Sequence, residues 1–220
     1  MGPNSLNQPP GGSYPAEKLN FDVPEPPKRR QKNWKDIAST VGLFLLAPVV
    51  ALSLAAFVIQ SYQVDGQSME TTLQNNDRLI VDKVPRTWAR ITGHSYIPKR
   101  GDIIIFNQTG VSFAGQASKQ LIKRVIGLPG ERVVVSGGRL TVYNSQNPSG
   151  FNPDGVGKYK LAGAVTPGNV DITLKSNELF VCGDNRANSE DSRYFGPLNA
   201  SQIVGKLSFR ILPLSKAQHF

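Results

Sequence analysis

One cysteine, Cys182, among 220 residues leaves no partner for an intramolecular disulfide. Histidine is nearly as scarce: His94 and His219 stand far apart, and neither belongs to a dense motif. No Cys/His spacing therefore resembles a zinc site, and no metal or cofactor is implied. A Ser–His–Asp triad would have to draw on one of those two histidines, neither of which has a supporting neighbourhood. Hydrolytic chemistry in this chain is expected to use a base other than histidine. The sequence also lacks an aromatic-interleaved basic stripe, so the formal charge of +9 does not point to nucleic acid. Instead the densest basic run, Lys28, Arg29, Arg30, Lys32 and Lys35, stands directly before an apolar segment.

That segment, 37–59, reads IASTVGLFLLAPVVALSLAAFVI and carries no charge. A helix of this length, at about 1.5 Å per residue, crosses a hydrocarbon core of ~30 Å. Pro48 removes one backbone hydrogen bond, a break that membrane helices tolerate. The stretch is longer than the apolar core of a removable signal peptide and follows a long tail, so a retained anchor is expected. The preceding cations place the N-terminus in the cytoplasm and the rest of the chain outside it. The tail itself, 1–36, is poor in large apolar groups up to about residue 27 and is expected to be disordered.

Beyond the anchor, 60–220 reads as one mostly-β domain, rich in turn formers, with 21 Gly and 16 Pro in the whole chain. Short β-rich runs occur at 61–64, 78–84, 102–106, 120–126, 132–135, 140–143, 170–174, 179–182 and 207–212, most of them bounded by Gly, Pro, Asn or Asp. Ser136-Gly137-Gly138 suits a hairpin turn. Only 198–204 has a helical look, and 110–117 and 144–166 read as loops.

The chemistry is sought just after the anchor. Tyr62 and Val64 point one way along a strand that leads into Asp65-Gly66-Gln67-Ser68-Met69. Gly66 frees the backbone beside Ser68, so a reacting carbonyl can approach closely. A serine nucleophile needs a base, and without a suitable histidine a buried lysine is the leading substitute. Burial disfavours the ammonium form and lowers the pKa toward the working range. In Gln120-Leu121-Ile122-Lys123-Arg124-Val125-Ile126, alternation puts Lys123 on one face with Leu121 and Val125. Arg124 is expected on the other face, in water. From this segment alone, an ordinary exposed strand lysine stays open.

Four separated segments together resemble the type I signal peptidases, Ser–Lys proteases that remove signal peptides. Gly66-Gln67-Ser68-Met69-Glu70-Thr71-Thr72-Leu73 is similar to the family's nucleophile box and Arg100-Gly101-Asp102-Ile103-Ile104-Ile105-Phe106 to its Gly-Asp strand box. Lys123-Arg124-Val125-Ile126-Gly127-Leu128-Pro129-Gly130-Glu131 resembles the general-base box. Gly183-Asp184-Asn185-Arg186-Ala187-Asn188-Ser189-Glu190-Asp191-Ser192-Arg193 resembles the last box.

The resemblance implies a signal-peptidase-like β domain after one N-terminal transmembrane helix. It implies Ser68 as nucleophile, Lys123 as general base and Ser189 as the hydroxyl that orients the lysine amine. The Ser68 N–H would donate to the oxyanion. Asp191 and Arg193 match a structural acid–base pair near the site, and Asp184 and Arg186 are read the same way. Val64, Met69, Leu73, Leu79 and Ile122 are the implied pocket walls, Met69 and Leu79 being equally at home in a core. The implied substrates are precursors cleaved after small residues at −1 and −3, held beside the enzyme by membrane lipid. Two positions depart from the pattern: Thr71 where many members have Pro, and Gly66 where some have a second oxyanion-donating serine. The competing reading is a non-catalytic relative that binds precursors or assembly partners. The sequence leaves the oligomeric state open.

Overall fold

Branched and aromatic residues alternate through much of the chain after residue 58, and the computed structural model folds these runs into strands. It describes residue 11 and residues 34–113, 116–155, 159, 161 and 164–220. The expected tail, 1–36, lies outside the described residues except at Gly11 and at its last three positions. The chain divides into two compact units, Met1–Leu43 and Phe44–Phe220.

Helix α1 (Trp34–Phe57) spans the unit boundary, with Pro48 inside it. It begins three residues before the expected anchor, 37–59, and stops two residues short of that anchor's end. Among the described residues no helix is long and apolar enough to cross a membrane.

The main sheet of the second unit contains β1 (Ile59–Gln63), β2 (Arg78–Asp82), β3 (Ile103–Phe113), β4 (Gln116–Gly127), β8 (Glu178–Cys182), β9 (Leu198–Asn199) and β10 (Ile203–Leu212). Their order is β1-β2-β10-β3-β4-β8-β9, and β11 (Gln218–His219) pairs with β10. A smaller sheet has the order β6-β5-β7, from β5 (Arg132–Ser136), β6 (Arg139–Tyr143) and β7 (Val170–Thr173). All pairings are antiparallel. Alternate residues of the strands supply the buried clusters, and the opposite face of the small sheet stays open. Ile104, Phe106, Val125, Leu179, Val181 and Ile203 form one cluster. Ile126, Phe180 and Cys182 meet Val133, Val135 and Val142 of the small sheet in a second. Val64, Met69, Leu73, Leu79, Ile103 and Leu207 form a third. Full burial of a side chain such as Phe106 or Phe180 contributes roughly 1.5–3 kcal/mol.

Three expectations need correction. Residues 198–204 are not a helix: β9 runs into a single 3-10 turn, Ala200–Gln202, closed by reciprocal capping between Asn199 and Gln202. Ile203 and Val204 are then drawn into β10, where branched side chains pack well. Residues 110–117 are largely strand, because β3 and β4 stay paired out to Phe113 opposite Gln116. The run 78–84 ends as a strand at Asp82, and helix α2 (Val84–Ile91) follows. Pro85 suits its first turn, and the Asp82 carboxylate accepts from the Val84 N–H at 2.8 Å.

Candidate active site

Ser68 is reached from β1 through a turn in which Gly66 has φ +105°, a value L side chains rarely adopt. A Cβ at Gly66 would meet nothing within 4 Å, so this stretch of backbone is open to an approaching chain. The Gly66 N–H is bound to Asn75 Oδ1 at 2.9 Å. Lys123 comes from the middle of β4, directly across the ladder from Ile104, with Leu121 across from Phe106. Its face is therefore the apolar one shared with Leu121 and Val125, and the residue is 3% exposed. The Lys123 amine donates to Ser68 Oγ at 2.7 Å. Burial lowers the Lys123 pKa to about 8, against a smaller opposing pull from Asp191 and Glu190. A neutral amine is thus accessible near neutral pH, hydrogen-bonded to a hydroxyl, and that is the arrangement general-base activation requires.

The third element of the site is the loop after β8. The Asn185 N–H donates to the Ser68 carbonyl at 3.0 Å, and the Asn185 side-chain amide donates to Gln67 O at 3.2 Å. Gly183 is packed so tightly that a Cβ there would collide with Ser189 Oγ and the Ser68 carbonyl oxygen. Ser189 is therefore brought beside Ser68, and its buried hydroxyl has no hydrogen-bond partner among the described residues.

Buried charges hold this loop. Asp191 accepts from the Gly183 N–H at 3.0 Å, and from Arg193 through Nε and Nη2, both at 2.8 Å. Asp184 and Arg186, read together from the sequence, do not pair with each other. Asp184 accepts from Arg124 Nε at 2.7 Å and Nη2 at 2.6 Å, and from Thr72 Oγ1 at 2.5 Å. Arg186 instead binds Asp154 at 2.5 and 2.6 Å, Thr166 Oγ1 at 2.9 Å and the Gly183 carbonyl at 3.0 Å. Arg124, expected in water, is buried: its face of β4 is covered, and its guanidinium lies 4.3 Å from the Tyr159 ring centre. Arg124, Asp154, Thr166 and Asn185 are participants that sequence reasoning missed. Asp154 and Thr166 lie in a segment that reads as loop, with no periodicity to mark a buried polar residue.

A cleft of about 370 Å³ opens beside Ser68 and Lys123. Val64, Leu79 and Ile122 line it, together with Tyr62, Ile105 and Leu121. Met69 and Leu73 do not: both are fully buried in the core cluster beneath, with Val64 and Leu79. Strand β8 pairs with β4 only from Arg124 onward. The edge of β4 before Lys123 is thus not paired to β8 and runs along the cleft, where an extended peptide can add as a strand. Cys182 offers no rival nucleophile, being fully buried with its thiol pKa pushed up by that burial. Among the described residues no group of three or more His, Cys, Asp or Glu is placed to hold a metal ion.

The chain is also similar to known proteins. The family model described as "Signal peptidase, peptidase S26" matches residues 37–212. A signal peptidase I of Leptolyngbya laminosa is 35% identical over 182 residues, 80% of this chain and 79% of its own length. A probable signal peptidase I-1 of Synechocystis is 34% identical, with 90% of each chain covered. Signal peptidase I P of Bacillus subtilis subsp. natto is 32% identical over 87% of this chain and 96% of its own.

Proposed function

The chain belongs to the signal peptidase family, peptidase S26, and from that premise we propose that it is a membrane-anchored serine endopeptidase that removes N-terminal signal peptides. The observation that carries the proposal is the 2.7 Å contact between Ser68 Oγ and a buried Lys123 amine. In the reactive form the amine is neutral, and the Ser68 hydroxyl donates to it. As Oγ attacks the scissile carbonyl, Lys123 takes the proton. The oxyanion forms facing the Ser68 N–H, a preorganised donor. Lys123 then returns the proton to the departing amine, the new N-terminus of the mature protein. The remaining ester joins Ser68 to the signal peptide. A water, deprotonated by Lys123, hydrolyses it; the acyl–Oγ bond breaks, the peptide carboxylate leaves and Lys123 returns the proton to Ser68 Oγ. Ser189, whose buried hydroxyl makes no hydrogen bond to Lys123 in this structure, is read as the hydroxyl that takes up the amine during the reaction.

Substrate binds as an extended strand along the edge of β4 before Lys123, which β8 does not cover, so its −1 and −3 side chains fall on one side. The walls offered by Val64, Leu79 and Ile122 are apolar, which suits small apolar residues of the A-x-A kind.

The uncharged run 37–59, most of it in α1, serves as the anchor in this reading, although the described residues of α1 alone are not long and apolar enough to cross a membrane. Its described residues 37–53 carry no charge, and Phe44 and Leu52 are 74% and 70% exposed. A long apolar surface of that kind needs a cover, and lipid supplies it. The basic run before it orients the N-terminus to the cytoplasm and the cleft to the other side.

The test is cleavage of a precursor bearing an A-x-A site by the purified full chain, with the product mass measured. Wild type should cut once, after the small residue at −1, and Ser68→Ala should not cut. Turnover by Ser68→Ala, or an inert wild type, would overturn the proposal; inert protein that still binds precursor would identify a non-catalytic relative.

A further inference from the structure

Gly66 has no side chain to offer a second hydrogen bond near Ser68, so stabilisation of the oxyanion leans on the Ser68 N–H. Among the described residues that N–H has no hydrogen-bond partner. Its direction is not its own to set. A peptide group is planar and trans, so the N–H points opposite to the carbonyl oxygen of the same plane. For Ser68 that oxygen belongs to Gln67. Whatever holds the Gln67 oxygen therefore aims the Ser68 N–H.

Two groups hold it. The Glu70 N–H donates at 3.1 Å, a bond local to the turn. The Asn185 side-chain amide donates at 3.2 Å from the loop after β8. A carbonyl oxygen only accepts, so the Asn185 amide must present its nitrogen here. The Asn185 backbone N–H meanwhile donates to the Ser68 carbonyl at 3.0 Å. One residue thus grips the peptide planes on both sides of the Ser68 Cα.

Asn185 is itself firmly placed. Its neighbours Asp184 and Arg186 are both buried, and each is tied to a different partner: Asp184 to Arg124, Arg186 to Asp154. Ion pairs on either side leave residue 185 little room to move, the support a group needs if it is to aim another. The bond also acts electronically. A hydrogen bond to an amide oxygen draws charge from the nitrogen, and linked bonds strengthen one another by about 10–30% each. The chain runs from Asn185 Nδ2–H through the Gln67 carbonyl to the Ser68 N–H, and its last link is the oxyanion.

We propose that Asn185 is a positioning residue for the oxyanion donor: its side-chain amide orients and polarises the Gln67–Ser68 peptide group, whose N–H faces the charge formed in the transition state. The proposal rests on the serine-protease reading above and adds to it a residue outside the Ser68–Lys123 pair. Asn185 acts through the Ser68 peptide group and takes no part in proton transfer.

The experiment compares the full-length wild type with Asn185→Ala and Asn185→Asp. Alanine removes the donor; aspartate keeps the shape but turns an acceptor toward the Gln67 oxygen. Two ligands end in the same A-x-A sequence, a peptide aldehyde and the matching peptide alcohol. Ser68 Oγ adds to the aldehyde carbon, its proton goes to Lys123, and the former carbonyl oxygen becomes the oxyanion. The alcohol cannot react and reports ground-state binding. In both variants kcat on the precursor should fall by about 10- to 10²-fold with KM little changed. Aldehyde affinity should fall by a similar factor while alcohol affinity holds. The pH limb of Asn185→Ala should stay centred near 8, since Lys123 is untouched. Wild-type kcat in both variants, or a fall in kcat with aldehyde affinity intact, would overturn the proposal. So would a displaced pH limb in Asn185→Ala, which would mean that Asn185 acts on the base. Loss of the folded circular-dichroism signal in both variants would make Asn185 a structural residue and overturn its positioning role. An inert wild type would overturn the serine-protease reading and this proposal together, whereas an active wild type with unaffected variants would leave that reading standing.

Discussion

The backbone N–H of Asn185 donates to the carbonyl oxygen of Ser68 at 3.0 Å. The loop carrying Ser189 therefore also holds the loop carrying the candidate nucleophile, and buried ion pairs remote from any proton transfer fix both. The geometry at Ser68 should be sensitive to those pairs.

Asp184 is the clearest case. Its carboxylate takes two bonds from buried Arg124 and one from Thr72. Asp184→Ala leaves the guanidinium buried without its partner, a loss of about 3–5 kcal/mol. Urea denaturation of the two proteins should show this as a lower midpoint at an unchanged slope. A difference below about 1 kcal/mol, the scale of a surface pair, would mean that Arg124 reaches water.

Gly183→Ala tests the contact itself. Its methyl group would strike Ser189 Oγ and the Ser68 carbonyl, pushing the two loops apart. A displacement near 1 Å at reacting groups lowers turnover by about 10²-fold. The expected signature is a fall in kcat with far-ultraviolet circular dichroism unchanged; wild-type kcat would show that the loops are not so closely packed.

Ser189→Ala separates a positioning hydroxyl from a structural one. The Ser189 hydroxyl is buried with no partner among the described residues, so its removal should not lower stability. If it orients the Lys123 amine, kcat should still fall, by up to about 10²-fold, while KM holds. Loss of stability with full kcat would assign it to the fold alone.

Lys123→Met bears on the cost of burying the base. The folded state lowers the Lys123 pKa to about 8 from 10.5, so between those values it binds fewer protons than the unfolded state. Wild-type stability from this residue therefore rises with pH through that window, and below it the full penalty is present. Lys123→Met should be inactive yet more stable than wild type at pH 7, by on the order of 3 kcal/mol. The advantage should shrink as pH rises from 8 to 10.5. A constant difference across that range would place the lysine in water in the folded state.

Much of the strand set is legible in the sequence because alternation is a local signal. The same signal puts Lys123 on the face of Leu121 and Val125, where the structure also has it. Arg124 departs from its expected exposure for a related reason. Alternation gives the opposite face of β4 but not its cover, and that cover comes from Asp184 and Tyr159, 60 and 35 positions away. Asp154 and Arg186 are 32 residues apart, with nothing local in either segment to announce the partner. Helix α2 escaped because its apolar spacing does not lead into a core. Met69 and Leu73 lie under the cleft rather than along it, a difference of depth that residue type does not encode.

The central claim is that Lys123 is the base for Ser68, and the pH dependence of kcat/KM on a soluble precursor peptide tests it most directly. The claim predicts activity rising with pH along a single limb centred near 8, set by loss of the Lys123 proton, and no measurable turnover in Lys123→Ala at any pH. A limb centred near the histidine value of about 6.5, or turnover that persists in Lys123→Ala, would contradict it.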